Sequence, residues 1–179
     1  MLFALSVSAE AQQPKKVPRI GYLGYGSPSN IPARIEAFRQ GLRELGYTEG
    51  KDFVIEFRGA EGKIETVPSI IADLIQFKVD ILVLPIVSAL RAAKQTTNTI
   101  PVVMVTQADP VALGLIDSLA HPGRNFTGIT SLQRDLSGKR LELLKEAVPK
   151  LSKIGILVAT DESLAAGFKD YERQRALSS

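Results

Sequence analysis

The chain has 179 residues, 45% of them hydrophobic, enough to bury a real core as one α/β domain or one domain and part of a second. Its 22 basic and 19 acidic residues are interspersed and leave a net charge of +3, without the basic, aromatic-interleaved runs that nucleic-acid binding calls for. With no cysteine and a single histidine, disulfides and thiolate metal sites are excluded, and histidine chemistry has little to work with.

The opening "MLFALSVSAEAQQPKK" carries a short apolar stretch that ends in Ala9-Glu10-Ala11, the small-x-small pattern of a secretory cleavage site. Residues 1–16 therefore read as an incomplete export signal, with a mature start near Gln12; a plain unstructured N-terminus is the alternative. No apolar stretch reaches the roughly 18 residues of a membrane-spanning helix.

From Val17 onward, strands and helices alternate. Ile20–Leu23 predicts a short strand. Ile35, Phe38, Leu42 and Leu45 then mark one face of a helix that Gly46 can end. "DFVIEF" (Asp52–Phe57) alternates like a strand near a sheet edge. Val67, Ile70, Ile71 and Leu74 mark the next helix, with Pro68 tolerable in its first turn. "VDILVLP" and "IPVVMV" are nearly continuous apolar runs, as strands buried on both faces of a parallel sheet require. Between them a helix starts near Ser88. Val111–Ala120 predicts a further helix closed by Pro122-Gly123, and "NFTGIT" a fifth strand.

The fold class is thus α/β, a doubly wound parallel sheet of order 2-1-3-4-5 with right-handed crossovers. The pattern then restarts. Leu141, Leu144 and Val148 share a helical face, and "KIGILVA" (Lys153–Ala159) resembles the first strand. Residues 17–131 read as a first lobe, and 132–179 as a connector with the beginning of a second. An orphan strand there would offer unpaired edges and favour self-association.

Known catalytic and cofactor motifs fail on inspection. "GYLGYG" spaces its glycines G-x-x-G-x-G, not as the dinucleotide fingerprint G-x-G-x-x-G. "SGKR" at 137–140 lacks the first glycine and the Ser/Thr of a P-loop, and Ser137 serves as well as a helix cap. His121 before Pro122-Gly123 suits a helix end. No G-x-S-x-G elbow, H-E-x-x-H or metal-spaced carboxylate cluster is present, so neither a cofactor nor a metal is expected.

What remains is three small, polar loops at the carboxyl ends of strands, where open α/β sheets bind ligands. They are Gly26-Ser27-Pro28-Ser29-Asn30, Pro85-Ile86-Val87-Ser88-Ala89, and Thr106-Gln107-Ala108-Asp109-Pro110. Backbone N–H groups there can meet an anion, and Ser29 or Ser88 can add a hydroxyl. Each serine also has a capping reading, and Asp109 before Pro110 looks like a cap as well as a partner for an amine.

"RQGLRELGY", "DPV..GL" around Asp109, "HPG.N.TG" around Gly123 and "LSGKRLELLKE" together resemble the ABC transporter substrate-binding protein family, whose better-known members bind aromatic amino acids. The likeness runs from Val17 to Val158 in order. It implies an exported, two-lobed, non-enzymatic protein, periplasmic or lipid-anchored, that passes a small ligand to an ABC permease in the membrane. It places the ligand between the lobes, touched by Gly26–Asn30, by Pro85, Val87, Ser88 and Ala89, and by Gln107 and Asp109, with hinge strands near Thr130-Ser131. The chain has no cysteine for a lipid anchor. A nucleotide- or flavin-binding α/β enzyme domain is the other function class considered.

Overall fold

The computed structural model describes residues 16–26, 33–131 and 137–155. Its strands are β1 (Arg19–Gly24), β2 (Val54–Gly59), β3 (Ile81–Leu84), β4 (Val102–Thr106) and β5 (Phe126–Thr130). The helices are α1 (Ala33–Glu44), α2 (Val67–Gln76), α3 (Val87–Thr96) and α4 (Ser137–Ala147), with a 3-10 turn at Ile64–Thr66 leading into α2.

All five strands run parallel in the order β2-β1-β3-β4-β5, as the sequence predicts. The register carries the apolar alternation across the sheet: Tyr22 pairs with Val83 on one side of β1 and with Phe57 on the other. Paired residues of a parallel sheet share a face, so each face becomes a continuous apolar layer.

One layer is covered by α1. Ile35 of that helix packs on Ile20, Tyr22, Phe53 and Val83, with Phe38, Leu42, Ile55, Phe57 and Val103 around them. Tyr22 anchors it, its ring 5.8 Å from Phe38 and 6.0 Å from Phe57. Burial pushes the Tyr22 phenol above its ordinary pKa because the phenolate would lose its water, an effect that Arg34 partly opposes. Leu45 does not join this layer: α1 ends at Glu44, one residue short, and Leu45 points to solvent at 74% exposure.

The opposite layer lies under α2 and α3. Val67, Ile71 and Leu74 from α2 and Ala89, Leu90 and Ala93 from α3 bury against Leu23, Leu82, Leu84, Val102 and Phe126. Each large side chain so buried contributes about 1.5–3 kcal/mol. Pro68 sits in the first turn of α2, where its missing N–H costs nothing.

The helix expected over Val111–Ala120 is not formed. Residues 110–114 make successive turns and 115–117 a bend, held by Leu113 N–H to Asp109 C=O, Gly114 N–H to Val111 C=O and Leu115 N–H to Pro110 C=O. Gly114 adopts a φ of +65°, which ends any helical run, while Leu115 and Ile116 still reach the core. Turns supply the same apolar anchors in fewer ordered residues. The expected strand Lys153–Ala159 lies mostly outside the described residues, and its first three carry no strand pairing. So does the N-terminal signal segment. Over α4, Leu144 and Val148 are partly exposed.

Two glycines are fixed by sterics. At Gly123, φ is +76° and a Cβ would lie 2.1 Å from Asp117 Oδ2. At Gly128, in mid-strand, φ is +146° and a Cβ would lie 2.0 Å from the carbonyl oxygen of Met104, its partner in β4.

Candidate functional site

Parallel strands bring all their carboxyl ends to one rim. Gly24, Leu84, Thr106 and Thr130 end β1, β3, β4 and β5, and the register sets Thr106 beside Thr130 and Leu84 beside Met104. Loops leaving these ends therefore meet around the point where the chain order reverses, between β1 and β3.

The loop after β3 is short because α3 begins three residues beyond the strand. Ile86 occupies the cap position with extended backbone (φ −120°, ψ 126°) and offers no side-chain acceptor. The first-turn N–H groups of α3, at Val87, Ser88 and Ala89, thus face the rim without a side-chain cap. Ser88 lies two residues past the cap position. Its Oγ is shielded from solvent and has no hydrogen-bond partner among the described residues. A buried hydroxyl left unbonded costs on the order of 1–3 kcal/mol, which makes Ser88 a candidate donor to an acceptor outside the described residues. Ala89 is fully buried and Pro85 partly so; they shape the floor.

The loop after β4 is tied down from both sides. Buried Thr106 accepts a hydrogen bond at Oγ1 from Ala108 N–H at 3.0 Å. Thr130 Oγ1 donates to the Ala108 carbonyl at 2.9 Å, and Ser131 N–H reaches the Thr106 carbonyl at 3.2 Å. Asp109 follows, with Oδ1 accepting from Val111 N–H at 2.8 Å. It caps a turn rather than a helix, and it does so with one oxygen only. Gln107 is exposed on the same loop.

Of the loop after β1, Gly26 is described and half-buried; Ser27, Pro28, Ser29 and Asn30 lie outside the described residues. A fourth loop borders the rim that sequence reasoning passed over. Gly62 N–H bonds to the Tyr25 carbonyl and Ala60 N–H to the Gly24 carbonyl, which brings the turn after β2 alongside β1's end. The E-G pair at Glu61-Gly62, both at positive φ, was its turn signal. Thr106 was also missed as a positioning residue, though a threonine closing an apolar strand is a sign of a side-chain-to-backbone turn.

His121, expected at a helix end, sits instead in a turn that it enters through the backbone, with N–H bonded to Ser118 Oγ at 2.9 Å. Among the described residues, no three His, Asp or Glu side chains gather as a metal site. No described helix is long and apolar enough to cross a membrane.

The rim of this doubly wound lobe thus gathers uncapped N–H groups, an orphan hydroxyl and one carboxylate. The chain belongs to the ABC transporter substrate binding protein family, whose model matches residues 28–174. It is 32% identical over 149 residues to a tyrosine-binding protein of Clostridioides difficile (strain R20291), covering 83% of this chain and 42% of that protein. Among solved structures it resembles a conserved domain protein from Vibrio cholerae O1 biovar El Tor, with a TM-score of 0.73 and 25% identity over 91% of this chain and 54% of that one. It also resembles the ligand-free, open form of a substrate binding protein with adhesive properties from Clostridium difficile, with TM-score 0.61 and 25% identity over 89% and 54% of the two chains. At 20% identity and a TM-score of 0.60, an ABC domain in complex with L-Trp from a streptococcus shares the fold, over 89% of this chain and 70% of that one. The chain spans about half the length of the relatives it matches.

Proposed function

We propose that this chain supplies the first lobe, residues 17–131, and the start of the second lobe of a solute-binding protein for an ABC import system, and that its ligand is an amino acid. The observation that carries the reading is the unpartnered Ser88 hydroxyl at the uncapped start of α3. A carboxylate seated there takes the Ser88 proton donor and the N–H groups of Val87, Ser88 and Ala89, with the helix dipole in its favour. Asp109, with one oxygen already used, turns the other to the ligand's ammonium. Gly26 and Gln107 flank the ligand, Ser27, Pro28, Ser29 and Asn30 remain ligand-binding candidates from the sequence, and Thr130-Ser131 lead to the second lobe. An aromatic side chain for the ligand is supported by the tyrosine-binding relative.

Nothing in this arrangement performs chemistry on the ligand: it binds, is handed to a membrane permease, and is released. Such a protein works outside the cytoplasmic membrane, which fits the Ala9-Glu10-Ala11 pattern. With one lobe lining the site, water stays at the rim and each polar contact is weakened. Binding by this 179-residue chain should be at least about 100-fold, or roughly 2.7 kcal/mol, weaker than by a form with both lobes.

Calorimetric titration at millimolar ligand tests the reading, with L-tyrosine and L-tryptophan against FMN and ATP. Saturable binding of an amino acid, abolished in Ser88→Ala, is the expected result. Binding of FMN or ATP with no response to any amino acid would replace it with the nucleotide-enzyme alternative.

A further inference from the structure

Helix α1 follows the charge rule for helices at both ends except at one residue. Glu36 in its first turn and Arg43 in its last complement the helix dipole. Arg34, the second residue of the helix, opposes it, because a cation there meets the positive end of the dipole. The other two arginines of α1 are matched by carboxylates, Arg39 by Glu36 and Glu49 and Arg43 by Glu36. Among the described residues no carboxylate pairs with Arg34, and residues 27–32, which lead into the helix, contain no acidic side chain. A side chain that breaks a local rule without a structural gain is a mark of function.

The position of Arg34 points to which function. Because β1 and β2 are parallel, the helix that joins them runs back along the sheet, and its first turn stands at the rim of strand ends. Helical side chains tilt toward the helix N-terminus, so the exposed Arg34 extends toward that rim. Its charge reaches the Tyr22 phenol, which lies two residues before the end of β1. Helices α1 and α3 cover opposite layers of the sheet. Their first turns therefore flank the switch point between β1 and β3 from its two sides, one bringing Arg34 and the other the unpartnered Ser88 hydroxyl.

We propose that Arg34 is a ligand-binding residue, the charged partner of the ligand's carboxylate, which Ser88 and the first N–H groups of α3 receive from the other side. On the amino-acid reading given above, on which this inference rests, it narrows the ligand class to compounds with a free carboxylate. A guanidinium presents paired N–H donors that match the two oxygens of a carboxylate, and a carboxamide returns neither the second oxygen nor the charge. Arg34 and Asp109 then give the rim one fixed charge of each sign, complementary to a zwitterion. The misfit of Arg34 with its own helix is the cost of that service, so binding and stability should respond to its removal in opposite directions.

Titration followed by NMR, with L-tryptophan and with L-tryptophanamide at high millimolar concentration, tests this on the 179-residue chain. The parent should prefer the free acid. Arg34→Gln should weaken L-tryptophan binding about 10-fold and leave tryptophanamide binding unchanged or stronger, so that the preference shrinks. Arg34→Lys, which keeps the charge, should stay nearer the parent. The melting temperature of Arg34→Gln should equal or exceed the parent's. An unaltered preference in Arg34→Gln overturns the proposal. So does a clear fall in its melting temperature, because Arg34 would then be pairing with a carboxylate of the polypeptide itself. A parent that binds no amino acid fails the reading as a whole and this inference with it. A parent whose binding is lost in Ser88→Ala but kept in Arg34→Gln fails this inference alone.

Discussion

Replacing Gly128 with alanine should detach β5 from β4. Two costs combine at this position. A φ of +146° belongs to glycine alone, and forcing a side chain into such a region costs on the order of 1–3 kcal/mol. The new Cβ would also sit 2.0, 2.7 and 2.8 Å from the O, N and C atoms of Met104, all backbone and unable to swing aside. Relief requires the strands to part, with the loss of one or two ladder hydrogen bonds at about 1 kcal/mol each. The sum is about 2–5 kcal/mol, a large share of the roughly 5–15 kcal/mol that stabilises a domain of this size. Urea denaturation followed by far-ultraviolet circular dichroism measures it. With a slope of about 2 kcal/mol/M, the midpoint should fall by roughly 2 M. Gly41→Ala, in mid-α1 with nothing within 4 Å of its Cβ, is the control and should gain about 0.5–1 kcal/mol. A Gly128→Ala midpoint within error of the parent would show that β5 is not held as described.

Leu74→Ala opens a cavity between α2 and the sheet, because Leu74 is fully buried, and should cost about 2–5 kcal/mol in the same denaturation assay. Asp109→Asn keeps the acceptor for Val111 N–H but loses the charge; stability should change by less than about 1 kcal/mol, while amino-acid affinity in calorimetry falls by about 2–5 kcal/mol. An Asn variant that binds as well as the parent would make Asp109 purely structural. Asp80 accepts from Lys16 and from Arg19 N–H, which hold its carboxylate below the ordinary pKa. A depressed acid stabilises the fold in full above its unfolded pKa of about 4 and loses that contribution as pH falls through the lower folded value. The stability gap between the parent and Asp80→Asn, measured by thermal melting, should therefore close below about pH 4.

Most of the architecture was legible because the central strands β1 and β3 are buried on both faces under the helices, although β4 and β5 leave Val105 and Ile129 exposed where the sequence predicts burial on both faces of β4. Apolar runs such as Val79–Leu84 and Ile100–Val105 have no other stable reading, and the helix pattern Val67, Ile71, Leu74 coincides with the residues that are fully buried. Val111–Ala120 misled because its apolar residues have helical spacing, yet Gly114 sits among them and the turn ending at Gly123 absorbs the rest. Periodicity reports what must be buried, and turns bury it as well as a helix does. The rim was legible as a set of loops, since strand ends follow from strand positions. Its inner detail was not. The capping reading of Ser88 fails because the cap position falls two residues before it, at Ile86, and a shift of one or two residues is below what periodicity resolves.

The bonds at Ala108 and Thr106 have a mechanical meaning. Thr130 and Ser131, the last residues before the chain leaves the sheet, are pinned to the same loop that presents Gln107 and Asp109. The exit direction of the polypeptide and the position of that loop are therefore one variable and not two. If Asp109 holds the ligand as proposed, drawing it inward by a fraction of an ångström would tug the exit strand with it, like a lever whose short arm is the loop. Thr130→Val would remove the bond to Ala108 and loosen this linkage, leaving only the backbone bond from Ser131 to Thr106 and the strand pairing to carry it.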